Sequence, residues 1–305
     1  MRCIRTRVAC VLMALALAMP AWAAGPQPAH SANGGRTTDE ADRPKDAKQA
    51  PPPAASAPVV QGDDPDLDVN LAQPDFMLSS LPTTLRLPRN RMTFRLTHRF
   101  NQPLDESGLD DLFGMDSGAI IGLEFRYGLI PGGQLGFYRT SDRTIELFSQ
   151  YDVVRQGGKR PLGIAAFGSV EGTDNFTDTY SPAIGAVISR EIGTRAAVYA
   201  QPFWVHNTNP EPSDLVDDDS TAMIGLGVRL RLFSSTYLVA EAAPRMSGYA
   251  PGTTHVSLAI EQRAGGHLFQ ITFANNQGTT PANVARGGPG GSNWYLGFDL
   301  ARKFY

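Results

Sequence analysis

His255-Val256-Ser257 comes nearer to a catalytic arrangement than any other stretch of this sequence. Residues i and i+2 of a β-strand share one face, so His255 and Ser257 would lie side by side on a strand. Glu261 falls on the same face, and a serine, a histidine and an acid can together cleave an ester. However, Glu261 would lie about 13 Å from Ser257 along an extended strand, which does not suit direct contact. We therefore expect a protein without enzyme activity and keep these three residues as its catalytic candidates.

Acidic loops are the second kind of candidate site. Asp217, Asp218 and Asp219 are consecutive, and clustered carboxylates can hold Ca²⁺ or Mg²⁺. No loop has the spacing of an EF-hand, and no pair of histidines has a metal-ligand spacing such as H-E-x-x-H. A solvated loop is the interpretation we favour, and we predict no metal and no cofactor.

The elements that would position these residues are β-strands with two different faces. In Thr221–Phe233, apolar residues at every second position alternate with Gly225, Gly227, Arg229 and Arg231. A period of two is typical of a strand that separates two environments. A soluble sheet would place its apolar face on a protein core, whereas a membrane barrel places it on lipid and keeps the polar face inside.

About twelve such strands predict an antiparallel up-and-down transmembrane β-barrel, an all-β fold. The connectors between them alternate long and short, as in bacterial outer-membrane barrels, with Thr140–Arg143 as the one clear exception. Pro202 lies inside the seventh strand and predicts a bulge or an early end there. The predicted strands are Met92–Phe100, Ala119–Tyr127, Gln134–Arg139, Thr144–Val153, Leu162–Glu171, Ala183–Arg190, Ala196–His206, Thr221–Phe233, Thr236–Pro244, His255–Arg263, His267–Asn275 and Asn293–Tyr305.

The inward phase of these strands carries charges of both signs. Such charges at membrane depth require water or mutual pairing, because a charge facing lipid costs about 2–4 kcal/mol. Two interpretations follow: the residues line a narrow polar pore, or they pair across the lumen and fill it. A barrel of twelve strands lies between the small barrels with packed interiors and the large ones with open channels, so its size does not decide between the two. The predicted lumen-lining residues are Arg95, Arg99, Glu124, Arg126, Glu146, Arg229, Arg231, Glu241, Glu261, Arg263 and Asp299.

The chain before the strands divides into three segments. Residues 1–23 are typical of a signal peptide, with early arginines, a short apolar run and Ala21-Trp22-Ala23 before the cleavage point. Residues 24–62 are rich in proline and alanine and predict a disordered periplasmic leader. Residues 63–88 are a transition segment, which forms a short helix, a plug or a lead-in to the first strand. Residues 89–305 form the barrel.

Composition excludes several classes of protein. The formal net charge is −3, and no basic patch is interleaved with aromatic residues, so we expect no nucleic acid partner. No run of 18 apolar residues follows the signal, which argues against transmembrane helices. Cys3 and Cys10 are the only cysteines and lie in the signal, so the mature chain would have no disulfide and no cysteine nucleophile.

Two short stretches resemble a known family. Leu96-Thr97-His98-Arg99-Phe100, followed by the Leu112-Phe113-Gly114-Met115-Asp116 loop, is similar to an uncharacterised bacterial family described as a membrane-bound β-barrel domain. The layout of the later strands is also similar, so the resemblance covers most of residues 85–305. It implies an outer-membrane barrel and carries over no activity. Separately, the His-x-Ser pair resembles that of outer-membrane lipid deacylases.

Four functions follow from this reading, in decreasing order of preference. The first is a non-enzymatic, porin-like barrel in the outer membrane, forming a narrow or gated pore for small polar solutes. The second is a structural scaffold barrel, the third a lipid or ester hydrolase, and the fourth a soluble barrel that binds a small ligand. Expected partners are outer-membrane lipid and the barrel-assembly machinery, which would recognise the last strand, although Phe304 rather than the terminal Tyr305 fits its apolar phase.

Overall fold

The structure is a computed structural model, and it describes residues 66–210, 215, 219–290 and 293–305. The predicted signal peptide and the predicted leader lie outside the described residues. The strands are β1 (Met92–Phe100), β2 (Ala119–Ile130), β3 (Gly133–Thr140), β4 (Ile145–Val154), β5 (Gly163–Gly172), β6 (Tyr180–Ile192), β7 (Ala196–His206), β8 (Ser220–Arg231), β9 (Thr236–Ala243), β10 (Arg245–Ser247), β11 (His255–Ala264), β12 (His267–Ala274) and β13 (Tyr295–Lys303). The one regular α-helix of the described residues, α1, spans Pro281–Arg286, and Leu112–Gly114 is a single 3₁₀ turn.

The strands close into an antiparallel barrel. Sequence neighbours pair with one another, and β1 pairs with β13 to shut the ring. Strands β9 and β10 are separated only by Pro244 and both pair with β8, so they occupy one position in the wall. The predicted barrel of about twelve strands is therefore confirmed.

The two faces of the wall differ as the alternation predicts. On β2 the side chains of Leu123, Phe125 and Tyr127 point outward and are exposed, while Glu124 and Arg126 point inward and are buried. On β8, Leu226 is 48% exposed, so no second sheet covers this face. An apolar exterior around a closed wall suits hydrocarbon rather than water.

Proline explains two irregularities of the wall, because it cannot donate to a neighbouring strand. Pro244 ends β9 at Ala243, one residue before the predicted end of the strand at Pro244. Pro202 stays inside β7, but the pairing of β7 with β6 is interrupted there, between Gly185–Phe203 and Ile188–Ala200. The pairing of Pro202 with Ile224 on the other side continues.

The interior of the barrel is filled by the chain itself. The lumen segment, residues 66–88, enters at the end where β1 begins and contains no helix. It reverses direction within the barrel, where the Leu78 N–H donates to the Leu81 carbonyl at 2.8 Å and the Thr83 N–H to the Phe76 carbonyl at 2.8 Å. Leu78 and Leu81 at this reversal are 0% and 1% exposed.

A second closure comes from the opposite end. The β12–β13 connector folds inward as a cap loop, residues 275–290, which carries α1. The buried residues of α1 include Val284 and Ala285, and Thr280 caps its first turn. The Thr279 hydroxyl donates to the Tyr138 hydroxyl at 2.7 Å, which ties the loop to β3. A space of about 20 Å³, room for about one water, remains between the cap loop and the lumen segment.

Candidate functional site

The predicted lumen-lining residues do line the lumen in the structure. Nine of the eleven point inward and are at most 6% exposed: Arg95, Arg99, Glu124, Arg126, Glu146, Arg229, Glu241, Glu261 and Asp299. Arg231 and Arg263 are half-buried, at the end of the barrel where β1 begins. The guanidinium of Arg231 donates there to the Ser234 carbonyl, at 2.7 Å.

Most of these charges pair with one another, either within a strand or between strands that are at most two positions apart in the wall. Asp299 on β13 accepts from Arg95 at 2.7 Å and from Arg99 at 2.6 Å, both on β1. Arg229 on β8 pairs with Glu261 on β11 at 2.9 Å. Each ion is expensive to bury alone, so mutual pairing is what makes a charged interior possible.

Apolar side chains are concentrated on one side of the lumen, from β4 to β8, where Glu146 and Glu171 lie among them. Phe148, Phe167 and Phe203, on β4, β5 and β7, form a row of rings, with centroids 6.0 Å and 5.3 Å apart. Val187 and Met223 extend this apolar side and are buried. The interior therefore combines charged and apolar side chains, whereas the inward phase of the sequence predicted only its charged part.

The lumen segment is held chiefly through its main chain. Six inward-pointing side chains of the wall each donate a hydrogen bond to a carbonyl of the segment. These contacts join Arg229 with Met77 at 2.6 Å, Gln270 with Leu78 at 3.0 Å, Arg95 with Ser79 at 2.8 Å, Gln201 with Pro82 at 2.6 Å, Gln150 with Thr83 at 2.9 Å and Gln134 with Leu85 at 3.3 Å.

Glu241 on β9 holds the reversal of the lumen segment from the opposite side. Its carboxylate accepts from the main-chain N–H groups of Ser79, Ser80 and Leu81, at 3.1, 2.8 and 3.2 Å. His255 Nε2 is a fourth partner, 2.9 Å away. Three converging N–H groups form an anion-binding concavity, which the carboxylate fills.

Two glycines of β8 make room for the leucines of the reversal. A Cβ at Gly227 would lie 2.2 Å from Leu78 Cδ1, and a Cβ at Gly225 would lie 2.8 Å from Leu81 Cδ1. Both distances are shorter than van der Waals contact allows. The bare backbone of β8 is therefore part of the fit between the wall and the lumen segment.

The catalytic candidates do not form the arrangement that the sequence suggested. His255 is bonded to Glu241 rather than to Glu261, because β9 places Glu241 directly opposite Ser257, close to the imidazole. Glu261 is instead held by Arg229. Ser257 Oγ has no hydrogen-bond partner among the described residues and is buried inside the barrel, away from lipid. The structure therefore pairs His255 with a carboxylate that the sequence had not offered as its partner.

The acidic candidates for a metal site are only partly covered. Asp217 and Asp218 lie outside the described residues, and Asp219 is described. Within the described ranges, no group of three or more His, Cys, Asp or Glu side chains is arranged to hold a metal ion. Nor does any described helix combine the length and the apolar character needed to span a membrane.

The four glutamines that hold the lumen segment were not singled out from the sequence. Gln134, Gln150, Gln201 and Gln270 all fall on the inward phase of their strands, so the period of two contains the signal. An uncharged amide among charged residues does not by itself indicate a binding role, so the sequence indicated the charged residues instead. What the glutamines bind became evident only from the path of residues 66–88.

Comparison with known proteins places the chain in a family. A family model described as a membrane bound beta barrel domain matches residues 75–304. The chain belongs to this family. The resemblance noted from the sequence is thereby confirmed, and the protein is a membrane β-barrel. The matched region of the family begins at Asp75, so it includes the reversal of the lumen segment.

Solved structures with a similar fold are distant. The outer membrane phospholipase A from Escherichia coli is 11% identical, with 70% of this chain and 90% of that chain covered and a TM-score of 0.42. An outer membrane channel from Pseudomonas putida F1 is 12% identical, with 72% and 97% covered and a TM-score of 0.43. A mutant porin of Rhodopseudomonas blastica is 13% identical, with 61% and 55% covered and a TM-score of 0.32. No curated protein matches the chain.

Proposed function

We propose that this membrane barrel is a channel for small polar solutes in the outer membrane, and that its own lumen segment is the gate. The observation that carries the proposal is the seating of residues 66–88 inside a wall whose charged and amide side chains bind them. In this structure the segment and the cap loop close the lumen from its two ends.

The way the segment is held suits a gate that leaves and returns. It has no strand or helix of its own and is attached to the wall through hydrogen bonds. A bond between neutral groups contributes only about 0.5–1.5 kcal/mol net, and a bond to a charged group about 1.5–3 kcal/mol, because water takes the place of the lost partner. Once the segment is out, Arg95, Arg229 and the glutamines would face a hydrated lumen, which suits polar solutes.

The orientation follows from the sorting of the connectors. The end where β1 begins carries tight connectors such as residues 131–132 and 265–266, and the other end carries long ones such as residues 101–118. Outer-membrane barrels keep short turns in the periplasm and long loops outside. We therefore place the lumen segment and the leader on the periplasmic side. We further propose that outer-membrane lipid covers the apolar exterior and that the assembly machinery recognises β13.

A reversible crosslink tests the gate. The Thr84 and Ser189 hydroxyl oxygens are 2.5 Å apart, between the lumen segment and β6. Cysteines at both positions would place their sulfurs within reach of a disulfide. We expect discrete openings of wild-type protein in planar bilayers, loss of the openings when Thr84→Cys/Ser189→Cys is oxidised, and their return on reduction. The two single variants, Thr84→Cys and Ser189→Cys, are the matched controls, and the oxidant should not change their conductance.

Two results would overturn the proposal. Equal conductance of the oxidised and reduced double variant would show that the segment does not gate the lumen. Silence of the wild type and of every variant that displaces the segment, with folded barrels verified by heat-dependent gel mobility, would favour the second hypothesis, a non-conducting scaffold. The filled lumen is the specific observation that keeps this scaffold hypothesis in view.

A further inference from the structure

We infer that the unplugged lumen binds short peptides, and that residues 66–88 occupy it as an internal peptide ligand. The inference rests on the proposed channel function and names the solute class. It comes from what the wall recognises between residues 77 and 85, which is chiefly the main chain, although the Thr84 hydroxyl also bonds to Ser189 and polar side chains outside this stretch, such as Arg86, pair with the wall.

The first observation is the set of main-chain contacts. The wall donates to the carbonyls of residues 77, 78, 79, 82, 83 and 85, and Glu241 accepts from the N–H groups of residues 79, 80 and 81. These groups are common to every peptide, whatever its sequence. A sugar or an inorganic ion does not present carbonyls and N–H groups at this repeat. The lumen wall therefore has the donor and acceptor pattern of a peptide-binding groove.

The second observation is that the lumen segment leaves several hydrogen-bonding groups of the wall without a partner. The amide oxygens of Gln134, Gln150 and Gln201 have no hydrogen-bond partner among the described residues, although the three side chains are at most 4% exposed. A carboxamide can donate to a carbonyl and accept from an N–H of the same peptide chain. Gln201 faces Pro82, whose nitrogen has no hydrogen to donate. A peptide with an N–H at that point would satisfy a group that the lumen segment leaves unpaired.

The third observation supplies selectivity. Leu78 and Leu81 seat against Gly227 and Gly225, in a buried apolar cluster that also contains Phe203. Burying one such leucine strengthens binding by about a factor of ten or more. The favoured ligands are therefore peptides with two apolar side chains three positions apart.

The test uses the full chain with the gate displaced. In the variant Leu78→Asp/Leu81→Asp, two carboxylates would have to enter the apolar sites, so the segment leaves the lumen while the wall stays intact. A synthetic peptide of residues 73–88 is then added to the conducting channel. We expect it to reduce the current, with a dissociation constant at least about 100-fold lower than that of the same peptide carrying the two aspartates, because each of the two lost leucines accounts for about a factor of ten or more.

Permeation and a wall variant complete the design. In liposome swelling, the tetrapeptide Leu-Ser-Ser-Leu should enter faster than a sugar of similar mass. Adding Gln201→Leu to the displaced variant should weaken the block by the native peptide. Gln262→Leu is the matched control, because the Gln262 amide binds Ser235 and Thr236 instead of the lumen segment.

The outcomes separate this inference from the channel itself. A displaced variant that folds but does not conduct overturns the proposed function. A displaced variant that conducts, while both peptides block equally and the tetrapeptide enters no faster than the sugar, overturns the peptide inference and leaves the channel standing. The comparison of the two peptides needs no wall variant, so it is decisive even if Gln201→Leu fails to fold.

Discussion

Replacing Glu241 with glutamine tests how strongly the reversal of the lumen segment is held. The carboxylate accepts three main-chain N–H groups, from Ser79, Ser80 and Leu81. A carboxamide has one acceptor oxygen, and its NH₂ group would face at least one of these donors. The closed state thereby loses a charge-assisted hydrogen bond, worth about 1.5–3 kcal/mol. A neutral amide is cheaper to bury than a carboxylate, which offsets part of this loss, so we expect a net weakening of about 2 kcal/mol.

Two kcal/mol is a large change for a gating equilibrium. Because 1.4 kcal/mol is a factor of ten, the ratio of open to closed channels should rise about 30-fold in Glu241→Gln. Single-channel recording measures this ratio as the fraction of time spent open, and heat-dependent gel mobility verifies that the barrel is folded.

The control for this substitution is Glu146→Gln. Glu146 is a buried carboxylate of the same lumen and makes no hydrogen bond to the lumen segment among the described contacts. Its substitution should leave the open fraction near that of the wild type. An unchanged open fraction in Glu241→Gln, or an equal rise in both variants, would refute the idea that the cradle at Glu241 holds the gate shut.

Three further predictions follow from the wall. Gly227→Val should push Leu78 out of its seat, raise ionic conductance and make the lumen segment cleavable by added protease, whereas Leu226→Val on the outer face should change neither. Leu226→Arg should place a charge in hydrocarbon, destabilise the barrel by about 2–4 kcal/mol and lower the temperature at which its gel mobility changes. Ser257→Ala should not change the rate of ester or phospholipid hydrolysis, because Ser257 is enclosed within the barrel. Hydrolysis by the wild type that the variant lacks would contradict a non-enzymatic barrel.

The strands could be predicted closely where alternation and turn residues agree. Strands β1 and β7 have the predicted bounds, Met92–Phe100 and Ala196–His206. The period of two is a local property, since successive side chains point to opposite faces whatever the rest of the chain does. Predicted bounds were less accurate for β6, which runs from Tyr180 to Ile192, because its ends lack a clear change in pattern.

Pro202 was predicted to disturb its strand and Pro244 was not, and the effect of each proline depended on the neighbouring strands. Pro202 remains in its strand because β7 keeps its pairing with β8, and only the side toward β6 lacks bonds. Pro244 instead separates β9 from β10. A missing N–H is visible in the sequence, whereas which neighbour needed it is decided by the assembled sheet.

The sequence by itself determined the strands of the wall, their apolar exterior and the inward phase of their charges, because all three follow from alternation along single strands. It left residues 63–88 open between helix, plug and lead-in. Only the tertiary structure decided that residues 66–88 lie in the lumen, since their partners are remote in the chain: Pro82 and Gln201 are 119 residues apart, and Leu78 and Gln270 are 192 apart. Hydrogen bonds between such distant groups arise from the closing of the ring, which no local pattern records.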